Sequence, residues 1–338
     1  MKPITRRRFI HITAMAAGLS AAAPLLARAA AAPMLHRWSG VALGADASLL
    51  LYHPDAAEAQ RLIAATLAEV KRLENIFSLY DPNSALCRLN RQGMLQEPPQ
   101  ELVALLSDCS HYSQATGGAF DVTVQPLWDL YAAHFSQASA DPAGPSPTDI
   151  ARANGRVDYR AVQVGPDLIR FLKPAISVTL NGIAQGYITD RVTELLRASG
   201  VQHTLIDMGE TRALDSHPTG RPWDIGLKDP TGASAIVATV PLDNAAISTS
   251  GGYGTQFDDA GRFNHIFDPA TGACASRYAS VSVVAPTATT ADALSTALSL
   301  LPIARAKEVL ASCAANAAWF ILNDGRIEHH AVASRDRA

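Results

Sequence analysis

Several catalytic signatures are missing from this 338-residue chain. It has no glycine-rich P-loop with its lysine, no G-x-S-x-G elbow and no H-E-x-x-H pair, which removes the commonest phosphate-cradling, serine-hydrolase and zinc-protease readings. Cysteine is scarce. Cys87, Cys109, Cys274 and Cys313 stand far apart, with no C-x-x-C, so a thiolate zinc site has no ligand set, and spacing alone assigns no disulfide. Positive charge is also short, with 28 Lys and Arg against 31 Asp and Glu. An acidic balance of this kind argues against a nucleic-acid partner. What remains is an ordinary globular composition, 48% hydrophobic and 17% charged, long enough for one or two domains.

The one concentrated basic run is at the start. "TRRRFIHI" (Thr5–Ile12) precedes an Ala- and Gly-rich apolar stretch over 9–26, and Ala27-Arg28-Ala29 has the small-x-small form of a cleavage site. This three-part pattern predicts a signal peptide over 1–31, and Thr5-Arg6-Arg7-Arg8-Phe9-Ile10 resembles a twin-arginine export signal. Gly18, Ser20 and Pro24 weaken the alternative of an uncleaved membrane anchor. Cleavage would lower Lys plus Arg from 28 to 23 against 31 acids, a net charge near −8. The expectation is an exported, periplasmic protein with no stable membrane insertion once the signal is gone.

Beyond residue 31, apolar spacing predicts strands around a small-residue turn over 40–53 and a helix over 55–77 with Asp55 as N-cap. A loop follows over 77–90, then a helix from about 99 to 116 stopped by Gly117-Gly118. Residues 136–154 are Pro-, Ala- and Ser-rich and read as a surface insertion or subdomain boundary. Short strands are expected at 161–164, 168–171 and 175–180, then a helix over 187–199. Further strands are expected at 203–208, 223–227, 235–241, 245–249, 263–267 and 280–285. Helices over 291–301 and 303–312 precede a hairpin turning at Asn323-Asp324-Gly325. Helices and strands mix without a regular βαβ repeat, which predicts an α+β fold.

Individually weak stretches carry the candidate chemistry. "STSGGYGTQF" (Ser248–Phe257) offers hydroxyls and backbone N–H groups that suit phosphate oxygens, or simply a polar turn. "FNHIFDPATG" (Phe263–Gly272) spaces His265 and Asp268 three apart, a proton carrier beside a carboxylate or a turn-bonding histidine. In "TTADALSTAL" (Thr289–Leu298), Asp292 and Thr296 fall one helical turn apart, where carboxylate and hydroxyl suit a hard cation such as Mg²⁺; an Asp near a helix start is also favoured by the helix dipole. "LNGIAQGY" (Leu180–Tyr187) is a two-glycine turn of undecided purpose, and Asp121 in "GGAFDVT" caps backbone or meets a ligand.

In order, "SLYDPNSALCRLN", "GGAFDVTVQPLWDL", "LNGIAQGYITDRV", "STSGGY", "HIFDPATG" and "ADALSTAL" resemble the ApbE-type FAD:protein FMN transferases from about Gly40 to the C-terminus. "TLNGIAQGYITDRV" together with the export signal resembles the NosX-like branch that accompanies nitrous oxide reductase maturation. The resemblance implies an ApbE-like fold: two layered α/β subdomains with mixed, largely antiparallel sheets and a flavin cleft between them. It implies binding of FAD and Mg²⁺, and transfer of FMN to a Thr or Ser of an acceptor flavoprotein in a membrane respiratory or maturation complex, with release of AMP. Some such enzymes also hydrolyse FAD. By the same resemblance, Asp292, Thr296 and the Gly182 carbonyl are metal ligands, and His265 moves the proton. Ala119, Phe120 and Asp121 contact flavin, together with Leu43, Tyr80, Thr179, Gln185, Ser250 and Phe267. Two positions depart from the family pattern. Thr179 stands where Asp is usual and Gln185 where Lys or Glu is usual, so hydrogen bonding is kept and charge is lost. That loss keeps a second expectation open, a non-catalytic FAD-binding carrier; an extracytoplasmic solute-binding protein fits the export signal alone.

Overall fold

The structure, a computed structural model, describes residues 32–332 apart from 43, 233 and 234. The expected signal peptide over 1–31 and the Leu43 contact lie outside the described residues.

The chain begins with two antiparallel strands, β1 (Met34–Ala42) and β2 (Ala45–His53), then the long helix α1 (Ala56–Phe77). As expected, Asp55 caps α1: its carboxylate accepts the N–H groups of Ala57 and Glu58 at 2.8 and 3.1 Å. Leu62, Ile63, Val70, Leu73 and Phe77 bury one stripe of it. The loop predicted over 77–90 instead contains a second helix, α2 (Ala85–Gln92). Ser84 caps its start, Gly93 closes it at φ 72°, and Leu86 and Leu89 bury its inner face. Eight residues are too few for periodicity to stand out in the sequence.

There follow β3 (Met94–Gln96), α3 (Gln100–Ala115), α4 (Gln125–Phe135) and α5 (Pro147–Asn154), the last inside the Pro-rich stretch. β5 (Leu168–Phe171) pairs with both β3 and β4 (Val162–Val164) in a small antiparallel sheet. The expected strand over 175–180 joins no sheet. Ala175 sits in a turn at φ 58°, and beyond it the backbone is held by the Asn90 side chain and the Val122 carbonyl.

The rest supplies α6 (Ala184–Ala198), β6 (Thr204–Asp207), β7 (Thr211–Leu214), the separate two-stranded hairpin β8 (Trp223–Lys228) and β9 (Ile236–Leu242), β10 (Ala246–Ser250), β11 (Ser280–Ala285), α7 (Ala288–Leu298), α8 (Ile303–Ser312), β12 (Ala317–Ile321) and β13 (Ile327–Ala331); with β1 and β2, its strands other than the hairpin build the main sheet. The strand order is β1-β2-β6-β7-β10-β11-β12-β13, antiparallel at every pairing. The expected α+β, largely antiparallel architecture therefore holds. The segment 263–267 forms isolated bridges rather than a strand.

Strands β6, β7 and β11 are buried on both faces. The reason is coverage. Helices including α1, α6 and α7 bury one face, while Trp223, Ile225, Leu227, Val240 and Leu242 of the β8–β9 hairpin pack on Leu50, Leu205, Ala213 and Ile247 of the other. A third, aromatic cluster joins Tyr131, Phe257, Phe263 and Phe267 beside α4. No helix among the described residues is long and apolar enough to cross a membrane.

Candidate active site

A cavity of about 720 Å³ opens where α1, the segment after α3, the start of α6, the middle and later part of α7, and the loop after β10 converge. That is within the usual size range of small-molecule sites. Of the residues implicated by sequence, Tyr80, Ala119, Phe120, Asp121, Thr179, Gly182, Gln185, Ser250, His265, Phe267, Asp292 and Thr296 all line it. Leu43 is not described, but its neighbours Gly44 and Ala45 line the same cavity.

The floor is built by two helices that cap each other. Asp190, on α6, accepts the N–H groups of Ala288 and Thr289 and the Thr289 hydroxyl, at 2.8, 2.8 and 2.6 Å, and so caps α7. In return Asp292, on α7, accepts the N–H of Gly186 in the first turn of α6 at 3.0 Å. The Arg212 guanidinium meets Asp190 at 2.6 Å, with both side chains nearly buried. This reciprocal capping also explains why the two helices begin earlier than expected, at Ala184 and Ala288.

Close approach is possible because residue 186 is glycine. A Cβ there would come within 2.6 Å of the Ala288 carbonyl carbon and 2.8 Å of Asp292 Cβ, and closer still to the Ala288 oxygen. The same economy holds at Gly182, where a Cβ would lie 3.0 Å from Thr296 Oγ1. The two glycines of "LNGIAQGY" therefore let backbone meet α7.

Asp292 is 3% exposed, and Thr296 follows it one turn on along α7. A hydroxyl chain runs behind them. Ser250 Oγ lies 3.3 Å from Thr296 Oγ1 and 2.8 Å from Ser295 Oγ, which also sits 3.1 Å from Ser248 Oγ and donates to the Asp292 carbonyl. The set formed by Asp292, Thr296 and the Gly182 backbone is all oxygen, with one carboxylate. No group of three or more His, Cys, Asp or Glu among the described residues is arranged to hold a metal. Such a donor set fits a hard cation that shares its remaining positions with water and ligand oxygens, as Mg²⁺ does, and not a softer metal.

The wall formed by 119–122 follows two glycines in the left-handed region, Gly117 at φ 66° and Gly118 at φ 90°, where other residues are strained. Asp121 then anchors the wall. Its carboxylate accepts from Thr123 N, Thr123 Oγ1 and Tyr159 N at 2.8, 2.6 and 3.0 Å. Burial pushes its pKa up, against those hydrogen bonds. Opposite, Val178 exchanges two 2.8 Å hydrogen bonds with the Asn90 amide, and Thr179 N donates to Val122 O at 2.8 Å. These bonds substitute for a strand partner and set the turn carrying Gly182. The Gln185 side chain lies against Gly209, whose φ of 103° and tight surroundings admit no side chain.

His265 Nδ1 lies 3.2 Å from the Thr255 carbonyl oxygen, which can only accept. In the neutral ring this puts the proton on Nδ1 and the lone pair on Nε2. Its expected partner is engaged elsewhere: Asp268 accepts the Ala270 N–H and the Thr271 hydroxyl, both at 2.9 Å, and so shapes the turn. The i,i+3 spacing suits a helix, whereas this segment is a loop. Phe267 belongs to the aromatic cluster, 5.2 Å from Tyr131 between ring centroids. Tyr80 stands at the lip, 69% exposed.

Lys71, Glu74, Asn75 and Trp128 also line the cavity and were not anticipated. A signal for the first three existed: with Ser78 they recur at i, i+3, i+4 and i+7, a polar face on a helix whose other face is core.

Residues 43–320 match the ApbE family. The chain belongs to that family. A FAD:protein FMN transferase from Haemophilus influenzae is 32% identical over 254 residues, covering 72% of this chain and 73% of that protein. Among solved structures, the ApbE protein of Thermotoga maritima superposes with a TM-score of 0.76 at 28% identity, covering 87% of this chain and 96% of that one. The apo flavinyl transferase ApbE of Pseudomonas stutzeri gives 0.73 at 26%, covering 89% and 96%. ApbE membership agrees with the contribution of all six ordered stretches to the lining of one cavity.

Proposed function

We propose that this ApbE-family chain is a FAD:protein FMN transferase that uses Mg²⁺ and modifies a Thr or Ser hydroxyl of an extracytoplasmic acceptor protein, releasing AMP. One observation carries the reading: Asp292, Thr296, Gly182, His265 and the 119–121 wall, remote in sequence, line one cavity. Relatives at up to 32% identity bear the transferase name.

In the proposed reaction the acceptor hydroxyl oxygen attacks the FMN phosphorus of FAD. A P–O bond to the acceptor forms, the P–O bond to AMP breaks, and the hydroxyl proton passes to His265 Nε2. Asp292, Thr296 and the Gly182 carbonyl would hold Mg²⁺, which when bound offsets diphosphate charge and stabilises the charge that develops on the leaving AMP. Phe120, Phe267 and Trp128 give the cavity an aromatic lining that suits a flavin ring and limits water. Thr179 and Gln185 contribute hydrogen bonds without charge.

The proposal extends to location. The twin-arginine pattern supports export to the periplasm, and the wording of "TLNGIAQGYITDRV" supports a NosX-like role in maturing nitrous oxide reductase. The test is incubation with FAD, Mg²⁺ and a periplasmic acceptor containing the target Thr, followed by mass spectrometry. An FMN adduct with equimolar AMP is expected, and Asp292→Ala should abolish both. Bound FAD with neither product would instead favour the non-catalytic carrier, for which the neutral pair Thr179 and Gln185 is the motive.

A further inference from the structure

We propose that Lys71 is the cationic contact for the phosphates of the dinucleotide, a subsite on the cavity face of α1. The inference rests on the flavin-dinucleotide reading above and adds to it the residue that meets the ligand's negative charge.

Three observations lead there. First, Lys71, Glu74, Asn75 and Ser78 form one polar helical face, and all four line the cavity. Second, the cavity's charge is lopsided. Glu74, Asp81, Asp121 and Asp292 are carboxylates, while Lys71 is the one Lys or Arg among the described lining residues. Position 185, on the opposite wall, is neutral glutamine. A diphosphate entering this cavity meets mostly negative side chains, and besides the proposed Mg²⁺ Lys71 is the lining side chain of Lys or Arg type that can attract it. Third, Lys71 is able to move. Its Nζ lies 3.4 Å from Glu74 Oε2, and its side chain is 70% exposed against 25% for Glu74. Exposed i,i+3 pairs of this kind hold weakly. A phosphate is a stronger partner, and a lysine's flexible stem allows the ammonium to turn from Glu74 to the ligand. Glu74 then serves as the resting partner that keeps the ammonium at the mouth.

The experiment is equilibrium binding of FAD, riboflavin and inorganic pyrophosphate to the full-length protein, at fixed Mg²⁺, for wild type, Lys71→Ala and Lys71→Arg. Riboflavin carries the ring without phosphate; pyrophosphate carries the charge without the ring. Lys71→Ala should weaken FAD and pyrophosphate about tenfold and leave riboflavin unchanged, and Lys71→Arg should restore most of the loss. FAD affinity unchanged in Lys71→Ala, or FAD and riboflavin weakened equally, overturns the subsite and leaves the flavin reading standing. Pyrophosphate binding that depends on Lys71 without any flavin binding keeps the subsite and sinks the flavin reading. Wild type that takes none of the three ligands refutes both.

Discussion

Replacing Gly186 with alanine sets two effects against each other, and the structure decides the sign. Position 186 is inside α6, where alanine is intrinsically better than glycine by about 1 kcal/mol. By propensity alone, then, Gly186→Ala stabilises. But the new methyl would stand 2.6 Å from the Ala288 carbonyl carbon and 2.8 Å from Asp292 Cβ, where ordinary contacts begin near 3.4 Å. Those neighbours are backbone and the root of a buried side chain, so no flexible tip can yield. The helices must part by a large fraction of an ångström, which stretches the 3.0 Å bond from Gly186 N to Asp292. Overpacking of this kind costs about 1–3 kcal/mol, and a strained buried hydrogen bond adds about 1 more, so net destabilisation of about 2 kcal/mol is expected. For a folded unit of about 300 residues that lowers Tm by roughly 3 °C. Thermal melts and urea titrations of the two proteins read it directly. Because Asp292 shifts with the helix, the proposed transferase turnover should fall further than stability explains. A Tm unchanged or raised would mean that propensity wins and that the clasp between α6 and α7 is looser than the contacts imply.

Other perturbations probe the same framework. Asp190→Ala strands the buried Arg212 guanidinium and uncaps α7, so a loss of about 3–5 kcal/mol in urea unfolding is expected; a loss below 1 kcal/mol would contradict it. Asn90→Ala removes both hydrogen bonds to Val178 and should cost about 2 kcal/mol and weaken FAD binding, with Asn90→Asp intermediate because it keeps only the acceptor. Asp207 is buried at the end of β6, and desolvation raises its pKa to about 6. The folded state thus holds this proton more tightly than the unfolded chain; the stability it contributes is full below pH 3.8 and is lost as pH rises through about 6, a change of about 3 kcal/mol. Asp207→Asn should flatten the fall in urea midpoint between pH 4 and 7, and an unaltered pH profile would contradict that origin.

Much of this protein was readable along the chain. The 3.6-residue stripe and Asp55 made α1 visible, and the Asn-Asp-Gly turn made the last hairpin visible, because both signals are local. The six ordered stretches marked residues that line the cavity for the same reason: each is a short, local pattern. Three things needed the fold. The helix at 85–92 is too short to show a period, and its stability comes from burying Leu86 and Leu89. The segment 175–180 has strand-like residues, yet finds its hydrogen bonds in the Asn90 side chain, 88 positions away. The pairing of His265 with Asp268 looked natural in sequence, but the turn claimed the carboxylate first. The polar face of α1 was legible as a pattern, while its place on the cavity was not. By itself, then, the sequence marked the stretches that line the cavity and where most helices lie, since caps, periods and turns act between near neighbours. Only the tertiary structure decided which of them meet. Whether Gly182 faces Thr296, and whether Gly186 lets α6 and α7 cap one another, depends on contacts about a hundred residues apart, held by burial that no local pattern encodes.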